Sequence, residues 1–324
     1  MRRKKHLKRK FITLFKNRIV FLSVLFLVGI AAWTFLIGEI SEKNVFQPIT
    51  LNAKAAIIIE AKDGEVFFDK DPDKRYPPAS TAKVMTAIVA IENAHLDKRI
   101  VPSKEALRVE PTVAGLKPGI SYKLKDLLAA ILIKSANDAA QAIAEGVAGS
   151  QQDFVVLMNE KAGRIGMENT YFANPSGLPT ARKDSQHTTA RDLAKMMKYA
   201  SRYKIILELM SKSEKSIYGS DKKEIYLRTH NKSLLRYDDA PWGKTGYTIE
   251  ARRTFVGTDP ALRPRIVFAL LKSDELWADI MILKREGLQL YKENNRTFLS
   301  DLFRWLEEQR SQGIRGVQIA EARK

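Results

Sequence analysis

The first forty residues combine a basic segment with an apolar run that is long enough to cross a bilayer. Residues 1–18 contain nine Lys and Arg and no acidic residue, and the 20 residues from 19 to 38 carry no charge. About 20 apolar residues span a bilayer as a helix, and a basic segment before the span stays in the cytoplasm. The pattern predicts a basic cytoplasmic segment (1–18), a single transmembrane anchor in the inner (cytoplasmic) membrane (19–40) and a linker (41–52), with the remaining chain on the extracytoplasmic, periplasmic side.

A cleaved signal peptide is the alternative to this anchor. Its apolar core would normally be shorter, and no convincing small-x-small cleavage site follows Gly38 directly. Ala53-Lys54-Ala55 fits the cleavage pattern but falls in a predicted strand. The pattern therefore favours an uncleaved anchor.

Beyond the linker, apolar positions predict strands near both ends of the chain and helices between them. Short apolar runs bounded by turn residues predict strands, and apolar positions at helical spacing predict helices. The predicted strands are 53–60, 65–69, 216–218, 224–228, 242–248, 253–258 and 265–272. The predicted helices are one that begins at or next to Ser80 and ends near 91, then 124–133, 139–147, 152–165, 189–201 and 275–291, followed by an apolar face at Phe298, Leu299, Leu302, Phe303 and Leu306.

This order of elements predicts the fold class. Strands from both ends of the chain have to share one sheet, which gives an α+β fold. We expect an antiparallel five-stranded sheet flanked by helices, with the helices between residues 124 and 201 forming an inserted all-α lobe. The predicted domain covers residues 53–292, and residues 293–324 form a C-terminal helical tail.

The predicted helix at Ser80 is the candidate reaction centre. It follows two prolines, where a helix can begin but not extend backwards, and residues 84–91 are apolar on nearly every face, which predicts a buried helix. Ser80 and Lys83 share one face of it. A serine hydroxyl needs a nearby base to act as a nucleophile, and burial favours an uncharged lysine. N–H groups at the helix start can also stabilise developing negative charge.

The Ser-x-x-Lys spacing alone is weak evidence for catalysis. The same spacing occurs at Ser201/Lys204 and at Ser220/Lys223. A helix cap followed by a surface lysine is the structural alternative, so the rest of the chain has to decide between the two.

Composition and charge narrow the possible chemistry. The 324 residues include no cysteine, which excludes thiol catalysis and disulfides and argues against a zinc–thiolate site. The formal net charge is +18, and half of it lies in residues 1–18. The remaining positive charge can attract anionic polymers or membrane surfaces. A nucleic-acid partner is not expected, because the basic segment adjoins a predicted membrane segment and not a folded nucleic-acid-binding domain.

Ser135-x-Asn137 lies in a polar break between two predicted helices, which exposes side chains to a cleft. Ser135 can relay a proton to a leaving amine. Asn137 can donate a hydrogen bond to a substrate carbonyl and hold Lys83 in place. The structural alternative is a helix stop followed by a cap.

Lys244-Thr245-Gly246 lies in the predicted strand 242–248. Lys244 can supply positive charge to a substrate carboxylate, and Thr245 can supply a hydrogen bond. Gly246 lets a ligand approach the strand closely, and the N–H of Tyr247 can form an oxyanion hole with that of Ser80. The structural alternative is a hairpin corner.

The three motifs in this order are a known signature of class A β-lactamases and penicillin-binding proteins. From about residue 53 to residue 291 the chain resembles the serine D-Ala-D-Ala carboxypeptidases, the low-molecular-mass penicillin-binding proteins of peptidase family S11. The resemblance rests on PASTAKVMT (78–86), SANDAA (135–140), Phe154, Met158, Asn159, GMENT (166–170), NPSGL (174–178), TARDLA (189–194), HNK (230–232) and KTGYT (244–248).

The resemblance implies a β-lactamase/DD-peptidase-like fold and acyl transfer on peptidoglycan stem peptides. Ser80 would attack the D-Ala-D-Ala bond with Lys83 as general base, D-Ala would leave, and water would release the acyl enzyme. The resemblance implies no metal and no organic cofactor. It also implies that β-lactams such as penicillin are covalent inhibitors of the same serine, in an enzyme of the cell wall.

The chain departs from the family pattern in several places. About 30 residues follow residue 291, too few for the β-rich second domain of many members, and the predicted anchor is N-terminal. Ser176 replaces a frequent histidine, and Arg252-Arg253 stand near a usual Ala-Gly pair. Trp277 and Asp279 stand where many members have an arginine that helps bind the substrate carboxylate. Recognition of the carboxylate is therefore expected to differ.

Three alternatives stay open. A class A β-lactamase would need a glutamate for deacylation, and the nearest candidate, Glu168, lies in a segment that matches the peptidases. A D,D-endopeptidase of the same family would cleave peptidoglycan cross-links, and Asp138 after Asn137 favours the carboxypeptidase over it only weakly. A non-catalytic cell-wall-binding protein is disfavoured by the intact motifs.

Overall fold

The computed structural model describes residues 49–180 and 186–295, and a five-stranded sheet lies at the centre of these residues. The strand order is β2-β1-β9-β8-β7, and all neighbouring pairs are antiparallel. The predicted α+β class is confirmed, because strands from both ends of the chain share this sheet. Its strands are β1 (Ala55–Glu60), β2 (Val66–Lys70), β7 (Trp242–Thr248), β8 (Arg252–Thr258) and β9 (Ile266–Ser273).

Two small antiparallel ladders stand apart from the main sheet. One pairs β3 (Arg99–Ile100) with β4 (Tyr122–Lys123), and the other pairs β5 (Glu214–Tyr218) with β6 (Glu224–Arg228). The β5–β6 pair contains the predicted strands 216–218 and 224–228. These strands therefore form a hairpin of their own and do not extend the central sheet.

Seven helices connect or cover these strands within the described residues. They are α1 (Ala82–Asn93), α2 (Leu124–Ala129, continued as a π-helix over Ala130–Lys134), α3 (Asn137–Ala148), α4 (Gln151–Arg164), α5 (Ala190–Ala200), α6 (Lys204–Met210) and α7 (residues 276–295). Short 3₁₀ turns cover Ala79–Thr81, Ala106–Arg108 and Lys232–Leu235. The sequence did not predict α6, because seven residues are too short to show a clear helical period.

Helices cover both faces of the sheet. Successive side chains of a strand point to opposite faces, and Ile57 belongs to the main hydrophobic core whereas Ile58 contacts α7 next to Gly287. Helix α5 packs across β1, β8 and β9. Helices α2, α3 and α4 pack against one another in sequence order in the predicted all-α lobe, and α5 in addition packs on the sheet.

Helix α1 is buried along most of its length, as predicted. Every residue from Ala82 to Ala90 is buried, and α1 contacts α3, α4, α5 and the π-helical segment. Full burial of a side chain such as Val84, Met85 or Ile88 stabilises the fold by about 1.5–3 kcal/mol. The start of α1 is thus fixed in position by packing on all sides.

A buried carboxylate joins α7 to both neighbouring strand ends. Asp279 accepts hydrogen bonds from the N–H groups of Asn52 (2.9 Å) and Ala53 (2.8 Å) and from the hydroxyl of Ser273 (2.7 Å). Its side chain is fully buried. Asp279 therefore stabilises the entry to β1 and the end of β9 together.

The predicted membrane anchor (19–40), the basic segment before it and the apolar face at residues 298–306 lie outside the described residues. Within residues 49–180 and 186–295, no helix is both long enough and apolar enough to cross a membrane. The predicted domain limits, residues 53 and 292, stay predictions.

We predict that Asp279→Ala destabilises the protein by about 2–4 kcal/mol, because three donors in a buried site lose their acceptor. Thermal unfolding followed by circular dichroism measures the loss. Asp238→Ala removes an exposed carboxylate and is the matched control, with little change in melting temperature expected. Equal melting temperatures for the two variants would contradict the assignment.

Candidate active site

Ser80 and Lys83 lie at the start of α1. Ser80 is part of the 3₁₀ turn that leads into the helix, and Lys83 is in the first α-helical turn. Lys83 is fully buried, and its Nζ lies 3.0 Å from Ser80 Oγ, 2.7 Å from Asn137 Oδ1 and 2.7 Å from the carbonyl oxygen of Ser176. The structure thus brings two of the three predicted motifs into direct contact.

The surroundings of Lys83 favour the neutral amine. Burial lowers the pKa of Lys83 well below its usual value, and the charge of Lys244 lowers it further, with Asp138 acting in the opposite direction. A neutral amine has two N–H donors and one lone pair. The two carbonyl oxygens of Asn137 and Ser176 can only accept, so they take the two donors. The lone pair is then left for the hydroxyl proton of Ser80, as a general base requires.

The loop at residues 174–178 supplies one of these acceptors through its backbone. The side-chain oxygen of Asn174 accepts from the N–H groups of Ser176 (3.2 Å) and Gly177 (2.8 Å). The Thr86 hydroxyl on α1 donates to the carbonyl of Pro175 (2.6 Å). The loop is therefore fixed against α1 with the Ser176 carbonyl aimed at Lys83.

The contact from Ser176 could not be predicted from side chains, because a backbone carbonyl leaves no residue-specific signal. The segment 174–178 supported the family resemblance without being assigned a role. Ser176 stands where a histidine is frequent, but its contact with Lys83 does not use the side chain. This departure from the pattern therefore leaves the environment of Lys83 intact.

Gly177 is required where this loop meets the 3₁₀ turn Ala79–Thr81. Its φ of +78° lies in the left-handed region, and a Cβ there would stand 1.8 Å from the carbonyl oxygen of Ala79. No side chain can occupy that space. The close contact holds the loop directly against the residue that precedes Ser80.

Ser135 and Asn137 stand where α2 ends and α3 begins. Ser135 follows the π-helical segment and has left-handed backbone angles (φ 63°, ψ 29°). Such π-helical turns occur frequently at functional sites. Asn137 is the first residue of α3, and its N–H donates to the carbonyl of Thr112 (2.7 Å). The predicted polar break is therefore a sharp turn that places Ser135 on the cleft and Asn137 on Lys83.

Asp138 fixes residues 114–116, just after Pro111 and Thr112, which line the cleft. Its carboxylate accepts from the N–H groups of Ala114 (2.8 Å), Gly115 (3.0 Å) and Leu116 (3.2 Å). The side chain is almost fully buried. Asp138 thus has a structural role that is read directly from its contacts.

The Lys244-Thr245-Gly246 motif lies on β7, the edge strand of the sheet. Lys244 is 1% exposed, and its Nζ donates to the carbonyl of Thr245 (2.6 Å). Burial lowers the pKa of Lys244 to about 7. A Cβ on Gly246 would stand 2.9 Å from the backbone nitrogen of Ser80. Gly246 therefore lets the edge strand pack against the turn that contains Ser80, whereas the predicted approach of a ligand to this strand stays a prediction.

A cleft of about 490 Å³ opens above these groups. It is lined by five of the residues that the sequence singled out, namely Ser80, Ser135, Thr245, Gly246 and Tyr247. The other three, Lys83, Asn137 and Lys244, are buried next to it. Ser80 and the hydroxyl groups of Ser135 and Thr245 thus line the cleft, whereas the amines of Lys83 and Lys244 and the amide of Asn137 are buried beside it.

His230 also lines this cleft, although the sequence pattern assigned it no function. Burial lowers the pKa of His230 to about 4, assisted by nearby lysine side chains, of which Lys244 has the largest effect. The imidazole is therefore neutral at physiological pH. Its backbone N–H donates to the carbonyl of Ile133 (3.2 Å), which ties the end of β6 to the π-helical segment.

The cleft differs from the family pattern at α7. Trp277 lines the cleft, whereas Asp279 is buried in the contacts with Asn52, Ala53 and Ser273 described above. The start of α7 therefore offers an aromatic ring to a ligand and no charge. Glu168, the candidate glutamate of a β-lactamase, is exposed and is not among the residues that line the cleft.

The arrangement can support acyl transfer: a serine hydroxyl, a neutral amine beside it and a second hydroxyl share one cleft next to a cationic strand. Comparison with known proteins agrees with this chemistry. Residues 41–274 match the family model of the D-alanyl-D-alanine carboxypeptidases, peptidase S11. The chain belongs to this family, and the resemblance seen in the sequence is confirmed.

Individual relatives show the same similarity in sequence. The chain is 32% identical to the D-alanyl-D-alanine carboxypeptidase DacF of Bacillus subtilis (strain 168), with 70% of this chain and 59% of the relative covered. It is 33% identical to a D-alanyl-D-alanine endopeptidase of Haemophilus influenzae, with 61% of this chain and 68% of the relative covered. The chain thus spans less than two thirds of the Bacillus relative.

Solved structures confirm the predicted fold. The crystal structure of a D-alanyl-D-alanine carboxypeptidase from Mycobacterium tuberculosis H37Rv matches with a TM-score of 0.68 and 31% identity. The match covers 74% of this chain and 91% of that structure. The β-lactamase/DD-peptidase-like fold is therefore shared.

We predict that Gly177→Ala strongly reduces acylation by a labelled penicillin, because the new Cβ displaces the loop whose carbonyl contacts Lys83. Gly119→Ala is the matched control: its φ of +72° imposes similar backbone strain, but a Cβ there meets no atom within 4 Å. Acylation rate and melting temperature are measured for both variants. Equal acylation rates would show that the Gly177 contact is dispensable.

We predict that the rate of acylation rises with pH and reaches its plateau well below the ordinary lysine pKa. Lys83 accepts a proton only when neutral, and its lowered pKa makes it neutral at a lower pH. Stopped-flow acylation across the acidic and neutral range measures the profile. Lys83→Arg keeps the charge but cannot lose it, so this variant should be inactive at every pH; a flat profile in the unmodified protein would refute the assignment.

Proposed function

We propose that this protein is a serine D-Ala-D-Ala carboxypeptidase that removes the terminal D-Ala from peptidoglycan stem peptides through an acyl-Ser80 intermediate. The observation that carries the proposal is the contact of a fully buried Lys83 with Ser80 Oγ at 3.0 Å. A surface lysine after a helix cap, the structural alternative, would be exposed and charged.

The acylation step follows from the positions of these groups. Ser80 Oγ attacks the carbonyl carbon of the penultimate D-Ala while its proton passes to the lone pair of Lys83 Nζ. The N–H groups of Ser80 and Tyr247 stabilise the oxyanion. The carbon–nitrogen bond then breaks, and the proton on Lys83 passes through the hydroxyl of Ser135 to the leaving amine of the terminal D-Ala, which leaves Lys83 neutral again. Water hydrolyses the ester and returns Ser80 to its starting state.

The remaining candidate residues position the substrate. Asn137 donates through its amide NH₂ to a substrate carbonyl, while its Oδ1 holds Lys83. Lys244 and Thr245 contribute charge and a hydroxyl at the strand edge, and Gly246 leaves room for the peptide backbone. β-Lactams acylate the same serine, because their ring carbonyl presents the same target. These steps require neither a metal nor an organic cofactor.

The location of this activity is proposed from the N-terminal sequence. The uncharged run after nine basic residues supports a membrane anchor over residues 19–40, with the catalytic domain (53–292) on the extracytoplasmic side. Peptidoglycan lies on that side, so the proposed location of the catalytic domain fits the proposed substrate. A nucleic-acid partner is not part of the proposal.

D,D-Endopeptidase activity is the second candidate, because a relative with that name is 33% identical to this chain. Both reactions use the same acyl-serine and differ in the leaving group. A carboxypeptidase releases D-Ala from a pentapeptide, whereas an endopeptidase separates cross-linked peptides.

The test measures both products from defined muropeptides with the purified protein. We expect D-Ala release from the pentapeptide, and we expect Ser80→Ala to reduce the rate by at least about 10³-fold. Ser201→Ala and Ser220→Ala, which alter the other two Ser-x-x-Lys sites, are matched controls that should keep full activity.

Two outcomes would change the proposal. Cleavage of cross-linked dimers without D-Ala release would replace the carboxypeptidase with the endopeptidase. Full activity in Ser80→Ala would reject Ser80 as the nucleophile and with it the whole mechanism.

A further inference from the structure

Arg253 reaches the active-site cleft from the second strand of the sheet. It is the second residue of β8 and lies opposite Tyr247 of the edge strand β7. Its side chain is exposed and lines the same cleft as Ser80 and Thr245. A long side chain on β8 therefore extends to the ligand side of the edge strand.

The register of the sheet places Arg253 near the hydroxyl of Thr245. Thr245 pairs with Phe255, so Arg253 is its diagonal neighbour, two residues away on the facing strand. Side chains two residues apart on a strand share a face, and diagonal pairs lie within reach of long side chains. The register therefore places Arg253 and Thr245 on one face of the sheet, and both residues line the cleft.

The guanidinium of Arg253 has donors to spare. An arginine carries five N–H donors, and Arg253 donates from Nη1 to the carbonyl oxygen of Asp274 (2.8 Å). The carboxylate of Asp274 is taken by Arg252, through Nε (3.0 Å) and Nη2 (2.7 Å). Among the described residues, no carboxylate lies within 4 Å of the Arg253 guanidinium.

The other cations near the cleft are less suited to hold a carboxylate. Lys244 is buried, donates to the carbonyl of Thr245, and has a pKa lowered to about 7, so part of the population is uncharged at neutral pH. Lys232 is exposed but lies in a separate 3₁₀ turn after β6. The start of α7 adds Trp277 and no charge.

We propose that Arg253, together with Thr245, binds the carboxylate of the leaving residue and thereby selects substrates with a free carboxylate next to the scissile bond. The planar guanidinium matches a carboxylate with two parallel hydrogen bonds. This inference rests on the proposed function and names the residue that recognises the end of its substrate. Arg253 is a specificity residue and takes no part in proton transfer.

The test compares acylation by benzylpenicillin with acylation by its methyl ester, which lacks the carboxylate. The unmodified protein should react faster with the free acid. Arg253→Gln should slow the reaction of the acid by about 10- to 100-fold and leave that of the ester nearly unchanged. Lys232→Gln removes a positive charge from the 3₁₀ turn Lys232–Leu235, whose first residue also lines the cleft, and should keep the preference for the acid.

Folding is monitored by the melting temperature, and Arg253→Lys provides a second variant that retains the charge without the planar fork. It should recover only part of the preference for the acid. An unchanged acid-to-ester ratio in Arg253→Gln, or a lost preference in Lys232→Gln, would overturn the inference.

Failure of the proposed function has a different signature. If neither probe acylates the unmodified protein at Ser80, the acyl-serine mechanism is wrong and the inference falls with it. Acylation by both probes with a ratio that is insensitive to Arg253 overturns the inference alone.

Discussion

The buried amine of Lys83 is the interaction on which the rest of the structure depends. A lysine charge inside a protein is costly, and the fold resolves this cost by keeping the amine neutral between two carbonyl oxygens and a hydroxyl. Because its folded pKa lies below the unfolded value of about 10.4, the folded state binds fewer protons than the unfolded chain over that interval. Stability therefore rises with pH there, and at neutral pH burial of Lys83 destabilises the fold.

The packing around Lys83 offsets the free-energy cost of burying this amine. The same burial makes the amine a base for Ser80. Helix α1 is buried from Ala82 to Ala90, so apolar packing holds the lysine in place against its tendency to reach water. Asn137 and Ser176 come from distant parts of the chain: the N–H of Asn137 is bonded to the carbonyl of Thr112, and the loop that contains Ser176 is held by Asn174 and by the bond from Thr86 to Pro175. Reactivity at Ser80 is thus a property of the packed domain and does not belong to the Ser-x-x-Lys motif by itself.

Much of the fold and of the candidate site could be predicted from the sequence, because several independent patterns indicated the same arrangement. The apolar character of α1, the polar break at Ser135 and the strand around Lys244 each indicated a position in the fold, and the family resemblance combined them. The backbone carbonyl of Ser176, the placement of α5 on the sheet and the reach of Arg253 into the cleft could not be predicted. They depend on tertiary packing and strand register, which leave no local signal.

The contacts of Asn137 and Asp138 couple two properties of the cleft. One side chain holds the amine beside Ser80, and the next holds residues 114–116, which follow the cleft-lining residues Pro111 and Thr112. Both sit on the first turn of α3, so any rotation or shift of that helix alters access and reactivity together. A substitution elsewhere on α3 that changes the width of the cleft also risks displacing the amine of Lys83. The size of the accepted ligand can therefore change only as far as Lys83 stays in place.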